Sequence, residues 1–251
     1  MLEITDRGAV RVIRMARPPV NALNPQLVDA LIEAVATAGR EAQAIVLTGR
    51  EGLFSAGLDV VELMALDRDG MSRFWCAFFR LLEAVARSPV PVAAAIGGHS
   101  PAGGAVMALF CDYRVMAAGD YRIGLNETQV GLVVPPLIQK ALVRLVGPHR
   151  AERMLVAGAM MGPKDARAVG LVDALEDEPA TVVDAAVAWC EQHLALPRHA
   201  MLGNRQLARA DLCALFDDFS ELGVEAFVTG WFSEPTQTTL GQVLARLGKK
   251  G

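Results

Sequence analysis

Residues 97–134 read GGHSPAGGAVMALFCDYRVMAAGDYRIGLNETQVGLVV. The fold turns on this stretch. It opens with a Gly-rich turn, runs into an apolar helical segment at 102–110, and ends near one acidic residue, Glu127, in a mostly uncharged neighbourhood. A Gly-rich turn feeding a helix offers free backbone N–H groups to an anion. A carboxyl group among apolar neighbours is a candidate base with a raised pKa. Together they point to chemistry in which a proton is removed and the resulting oxyanion is held by backbone donors.

Working outward, the upstream chain alternates strand and helix. Residues 2–5 and 9–15 read as a hairpin around Asp6-Arg7-Gly8. Asn24-Pro25 reads as the N-cap and first residue of a helix, with Leu27, Val28, Leu31, Ile32 and Val35 as its apolar stripe. AIVLT at 44–48 and PVAAAI at 91–96 read as strands buried on both faces, the second ended by Gly97-Gly98. Residues 67–70 read as a loop and 74–86 as a helix. Asp59 reads as the cap of a short helix through Met64. Such alternation implies parallel pairing with right-handed crossovers. Downstream, 112–116 reads as a strand, 137–146 and 149–157 as helices, 163–166 as a helix start, and Leu171-Val172 as a last strand. From 180 onward the chain reads as helices at 180–196, 199–215, 216–232 and 236–247. That tail is apolar enough to need a partner surface, either the first part of the chain or another copy.

Composition sets outer bounds. The chain has 251 residues, 53% hydrophobic and 21% charged, with a formal net charge of −4. A sizeable core is available, and the basic footprint of a nucleic-acid binder is missing. Four dispersed cysteines without a C-x-x-C pair argue against a zinc site and suit a reducing, cytoplasmic setting. No apolar run is long enough for a membrane span. Ser100 has no partnered His in any motif, so a serine nucleophile is not expected.

FSAGLD at 54–59, PAGG at 101–104, NETQVG at 126–131 and GPKDARAVGLVD at 162–173 together resemble the crotonase family, the enoyl-CoA hydratase/isomerase superfamily. LNETQVG is most similar to the segment found in mitochondrial-type Δ3,Δ2-enoyl-CoA isomerases. The resemblance implies an α/β fold: a spiral of βαβ units over residues 1–179, with a helical region for packing or trimerisation at 180–251. It implies oxyanion donors at the N–H groups of Leu58 and Gly103, facing the thioester oxygen of an acyl-CoA. It puts the base at Glu127 and the coenzyme A grip near 21–24 and 56–60. Ala22, Ala56, Gly57, Leu58, Asp59, Val60, Gly103, Asn126 and Leu132 are the expected substrate contacts. Asn126 is open to two readings, a helix N-cap or a ligand-orienting group. Trp75, Phe78 and Phe79 read as core, with a role beside the acyl chain as the alternative.

Hydratases of this family use two glutamates, and the first falls on Val106 here. Adding water across a double bond commonly needs two carboxylates. Moving a double bond needs one group that takes a proton from C2 and returns it at C4. The expected activity is therefore Δ3,Δ2-enoyl-CoA isomerisation, with hydration or thioester hydrolysis, or a non-catalytic scaffold, as alternatives. Coenzyme A belongs to the substrate, no further cofactor or metal is expected, and the assembly implied is a homotrimer or hexamer. Val106, Leu132 and Val133 are the expected apolar surroundings of Glu127.

Overall fold

The computed structural model describes residues 1–218 and 222–248. Strands β1 (Leu2–Arg7) and β2 (Val10–Met15) form the expected antiparallel hairpin. Helix α1 (Pro25–Glu41) starts as its sequence dictates: Pro25 occupies the first turn and the Asn24 side chain accepts from the Leu27 N–H. The chain then winds in three similar turns. The first carries β3 (Ala44–Thr48), β4 (Gly52–Leu53), α2 (Val60–Leu63) and α3 (Arg68–Ala86). The second carries β5 (Val92–Ile96), β6 (Gly98–Pro101) and α4 (Gly103–Leu109). The third carries β7 (Tyr113–Ala117), β8 (Ile123–Gly124), a 3-10 turn (Glu127–Val130), α5 (Pro136–Val146) and α6 (Pro148–Ala157). After these come β9 (Met160–Met161), α7 (Pro163–Val169) and β10 (Ala174–Glu176).

Each turn gives one strand to a large sheet, ordered β1-β2-β3-β5-β7-β10, and a short strand to a second sheet, ordered β4-β6-β8-β9. Every pairing in the large sheet beyond the hairpin is parallel. Strands β3 and β5 are runs of fully buried residues because both faces are covered. Ile45, Leu47, Ala94 and Ile96 join the core formed with α1 and α3. Val46, Ala93 and Ala95 alternate to the other face. There they meet Val183, Ala186, Val187 and Cys190 of α8 (Val182–Leu194). The chain continues through α9 (Arg198–Ala208), α10 (Ala210–Ala214), α11 (Val224–Trp231) and α12 (Glu234–Gly248).

Stacking of the turns depends on glycine at the corner between the sheets. A Cβ on Gly98 would lie 2.0 Å from the Gly52 carbonyl carbon, inside the β4–β6 pairing. Backbone atoms cannot yield as a side-chain tip can. Gly98→Ala is expected to cost on the order of 4 kcal/mol or more, read as lost soluble yield and an early thermal transition.

Several expectations shift. Residues 67–70 are not a loop: the Asp67 carboxylate accepts from the Gly70 N–H at 2.7 Å and caps α3, which begins six residues before the expected 74. Gly97-Gly98 ends β5 but also opens β6, whose four residues are too few to show periodicity. Leu171 and Val172 are not a strand. Both N–H groups turn back to the Ala166 carbonyl around Gly170 (φ +82°), and both side chains plug the core. The last strand is Ala174–Glu176 instead. The expected helix at 199–215 is two helices separated at Arg209. Among the described residues, that at 216–232 is α-helical over Val224–Trp231, with 219–221 outside the described residues.

All four cysteines are unpaired. Among the described residues no helix is long and apolar enough to cross a membrane.

Candidate active site

The two expected backbone donors come from different turns of the spiral and end side by side. The Leu23 N–H donates to the Gly57 carbonyl at 2.8 Å, and the Asp59 N–H donates to the Leu23 carbonyl at 3.0 Å. That parallel bridge leaves the N–H of Leu58, the residue between, on the opposite side of the strand. Gly103 is the first residue of α4, where no intrahelical acceptor exists. Neither N–H has a hydrogen-bond partner among the described residues. A Cβ on Gly57 would fall 3.2 Å from the Gly103 nitrogen, and one on Gly103 would fall 3.3 Å from Leu58 Cδ2.

Local backbone strain aims both. Ala102, just before Gly103, sits at φ +44°, ψ −120°, and its N–H is held by the Gly124 carbonyl at 2.9 Å. Such conformations persist only where the surroundings over-determine them, and they concentrate at functional sites. Opposite, Asn21 (φ +50°, buried) donates to the Phe54 carbonyl at 3.2 Å. Ser55 Oγ donates to the Asn21 carbonyl at 2.7 Å and accepts from the Gly57 N–H at 3.1 Å. The polar residues of the FSAGLD segment therefore shape the loop.

Glu127 opens the 3-10 turn that Gly131 closes in a left-handed conformation (φ +80°). Its motif neighbours are anchors. Thr128 Oγ1 donates to the Leu155 carbonyl at 2.7 Å, Gln129 Nε2 to the Gly158 carbonyl at 2.8 Å, and Thr236 Oγ1 of α12 to the Gly131 carbonyl at 2.7 Å. Thr128→Ala is expected to lower stability by about 1 kcal/mol, read by thermal unfolding, and to reduce turnover several-fold by loosening the turn.

Glu127 shares a small cavity with Leu58, Gly103, Val106, Leu132, Trp75, Phe78, Pro135, Ile138 and Phe227. The cavity measures about 10 Å³, near the room one water needs. Glu127 is its one titratable wall residue among those described. Glu127 Oε2 is buried and has no hydrogen-bond partner. Burial pushes its carboxyl up to about 7, a rise the residue's own backbone N–H partly opposes.

Among the sequence-derived residues, the cavity gathers Glu127, Leu58, Gly103 and Leu132. Val106 faces it as expected, whereas Val133 points away and is 79% exposed. Asn126 makes no cap hydrogen bond, which removes its capping reading, and its Oδ1 is buried without a partner. The Asp59 carboxylate caps α2 through the Glu62 N–H and pairs with Arg17 at 2.8 Å. The Ala22 carbonyl accepts from Arg17, the Ala56 N–H donates to Val20 and the Val60 N–H to Leu58. These residues line the loop behind the donors and are not cavity walls. Trp75 and Phe78 do line the cavity, and Phe79 does not. Pro135, Ile138 and Phe227 escaped the sequence reading. Only their apolar character pointed anywhere, and it pointed to core.

Two aligned backbone donors beside a buried carboxyl in a spiral of βαβ turns can take a proton from a carbon next to a carbonyl and hold the enolate formed. Residues 5–211 match the enoyl-CoA hydratase/isomerase family. The chain belongs to that family and has the crotonase fold. It is similar to human mitochondrial enoyl-CoA delta isomerase 1, at 32% identity over 96% of this chain and 82% of that protein. It is also similar to a probable enoyl-CoA hydratase of Mycobacterium avium, at 33% identity over 84% of this chain and 80% of that protein. The crystal structure of human mitochondrial Δ3-Δ2-enoyl-CoA isomerase superposes with a TM-score of 0.93 at 30% identity, covering 99% of this chain and 98% of that one.

Proposed function

We propose that this protein is a Δ3,Δ2-enoyl-CoA isomerase of fatty acid metabolism, serving β-oxidation of unsaturated acyl chains. The observation that supports it most is the composition of the cavity: one carboxyl, Glu127, facing the apolar Val106. Val106 stands where the resemblance puts the first glutamate of hydratases, Glu127 matching the second. Glu127 takes the C2 proton of a 3-enoyl-CoA, which the thioester acidifies. The N–H groups of Leu58 and Gly103 hold the charge that develops on the thioester oxygen. Glu127 then returns the proton at C4, leaving the conjugated 2-enoyl-CoA. A base titrating near neutrality suits the task, being strong enough to accept the proton yet ionised at working pH. No atom from water enters the product, so a second carboxylate has no part to play. Coenzyme A belongs to the substrate, and no other cofactor or metal is invoked.

The test is to mix the enzyme with a 3-enoyl-CoA and follow the absorbance of the conjugated product. Release of 3-hydroxyacyl-CoA or free coenzyme A in its place would assign hydration or hydrolysis. No turnover at all would leave a binding scaffold.

We also propose a homotrimer or hexamer in the cytoplasm. The support is α9, which has no buried residue and leaves Leu207 77% exposed. Light scattering is expected to give three or six times the chain mass, and Leu207→Glu to lower it.

A further inference from the structure

Among the described residues, two unpartnered buried polar atoms of complementary kind belong to walls of the active-site cavity. One is the donor Trp75 Nε1 and the other the acceptor Glu127 Oε2. Trp75 is 3% exposed. Its indole is wedged against Phe78, Phe79 and Phe227 at ring-centroid distances of 5.5, 5.3 and 3.9 Å, so its heading is fixed by packing. Native structures rarely leave a buried donor and a buried acceptor both unsatisfied. The cavity they share, about 10 Å³, is near the volume of one water. A single bridging water therefore satisfies both at once.

We propose that the indole N–H of Trp75 is the hydrogen-bond donor that, through one bridging water, orients the Glu127 carboxylate toward the substrate. This makes Trp75 a positioning residue, and the inference rests on the isomerase reading for its catalytic consequence. Glu127 needs such a partner because, among the described residues, no charged side chain lines its cavity beside it. The walls from α3, α4, α5 and α11 bring Trp75, Phe78, Val106, Ile138 and Phe227. The 3-10 turn packs on its other side against α6 and α12. Those helices carry His149, Arg150, Glu152, Arg153 and Glu234, and none of these charges contributes to the shift at Glu127.

A hydrogen bond to the ionised form favours that form, so losing the donor raises the pKa of the acid. Trp75→Phe keeps a buried ring and removes the N–H. The acidic limb of its kcat/KM profile is expected to move up by about one to two pH units. Activity should recover at alkaline pH, a pattern that simple loosening of the core does not give.

The direct test needs no substrate. The chain has three tryptophans, so the indole region of an amide-correlation NMR spectrum is sparse. The Trp75 resonance, assigned by its loss in Trp75→Phe, is expected to move downfield as pH rises, with a midpoint below the value of about 7 that burial gives without this bond. The same resonance in Glu127→Gln is expected to stay still. If Trp75→Phe does not fold, Trp189→Phe and Trp231→Phe assign the peak by elimination. A Trp75 resonance that stays flat from acid through neutrality, or titrates unchanged in Glu127→Gln, overturns the inference. Because the resonance is read without acyl-CoA, that result is separate from failure of the isomerase assay.

Discussion

Glu127→Gln is expected to lower kcat for isomerisation by about 10²–10⁴-fold while leaving acyl-CoA affinity nearly unchanged. The amide keeps the shape and burial of the side chain and removes the capacity to carry a proton. The same substitution is expected to stabilise the protein at alkaline pH, and the sign follows from the burial. Below about 4.5 the acid is neutral in both the folded and the unfolded chain, so variant and parent differ little. Between 4.5 and about 7 the unfolded chain ionises while the folded one resists. The parent therefore loses stability across that window, and the loss is complete above it. A rise of this size corresponds to roughly 3 kcal/mol. Melting temperatures of the two proteins should coincide in acid and separate above neutrality, with the inactive variant higher. Equal melting temperatures on both sides of neutrality would mean that the carboxyl is solvated. A catalytic group held at the expense of stability is the pattern expected of an active site.

Gly57→Ala is the second large effect. The added methyl would sit 3.0 Å from Ala102 Cβ, 3.1 Å from the Pro101 carbonyl and 3.2 Å from the Gly103 nitrogen, between the two backbone donors. Gly57 also has φ +84°, where an L side chain is strained by roughly 1–2 kcal/mol. Losing one preorganised donor typically costs on the order of 10²–10³ in kcat, and this wedge disturbs both. The expected result is a fall of that size in kcat with a melting point a few degrees lower. Pairing with Gly104→Ala separates the two causes. There the methyl would meet Ser100 Oγ, the Ser55 carbonyl and Ser55 Cβ at 3.0–3.2 Å, behind the donors. Similar losses of stability with a much smaller loss of kcat at Gly104 would assign the Gly57 effect to the donors.

Much of this architecture was written locally. The Asn24-Pro25 start of α1, the buried runs of β3 and β5 and the alternation of strand with helix all follow from short-range chemistry. Glycine and small residues marked where backbone can be approached closely, while the choice of Leu58 and Gly103 as donors came from the resemblance. What the sequence concealed depends on contacts between distant segments. Strands β4, β8 and β9 have two residues each, too short for any periodicity, and exist only because neighbouring turns present the matching edge. The cavity wall joins Trp75 of α3 to Phe227 of α11, and an apolar residue at helical spacing looks the same whether it faces core or cavity. Val133 was expected beside Glu127, but the chain leaves the 3-10 turn at Gly131 with Leu132 inward, which turns Val133 to solvent. Asn126 could not be resolved from sequence because cap and ligand contact use the same side chain.

Isotope transfer tests the central claim most directly. A 3-enoyl-CoA carrying deuterium at C2 is converted to the 2-enoyl-CoA, and the product of a single turnover is examined at C4. One carboxyl in a closed cavity takes the label from C2 and returns it, so deuterium is expected at C4 of the product. A product whose C4 hydrogen comes wholly from solvent would contradict the account, because the proton would then have travelled by a route other than Glu127 alone.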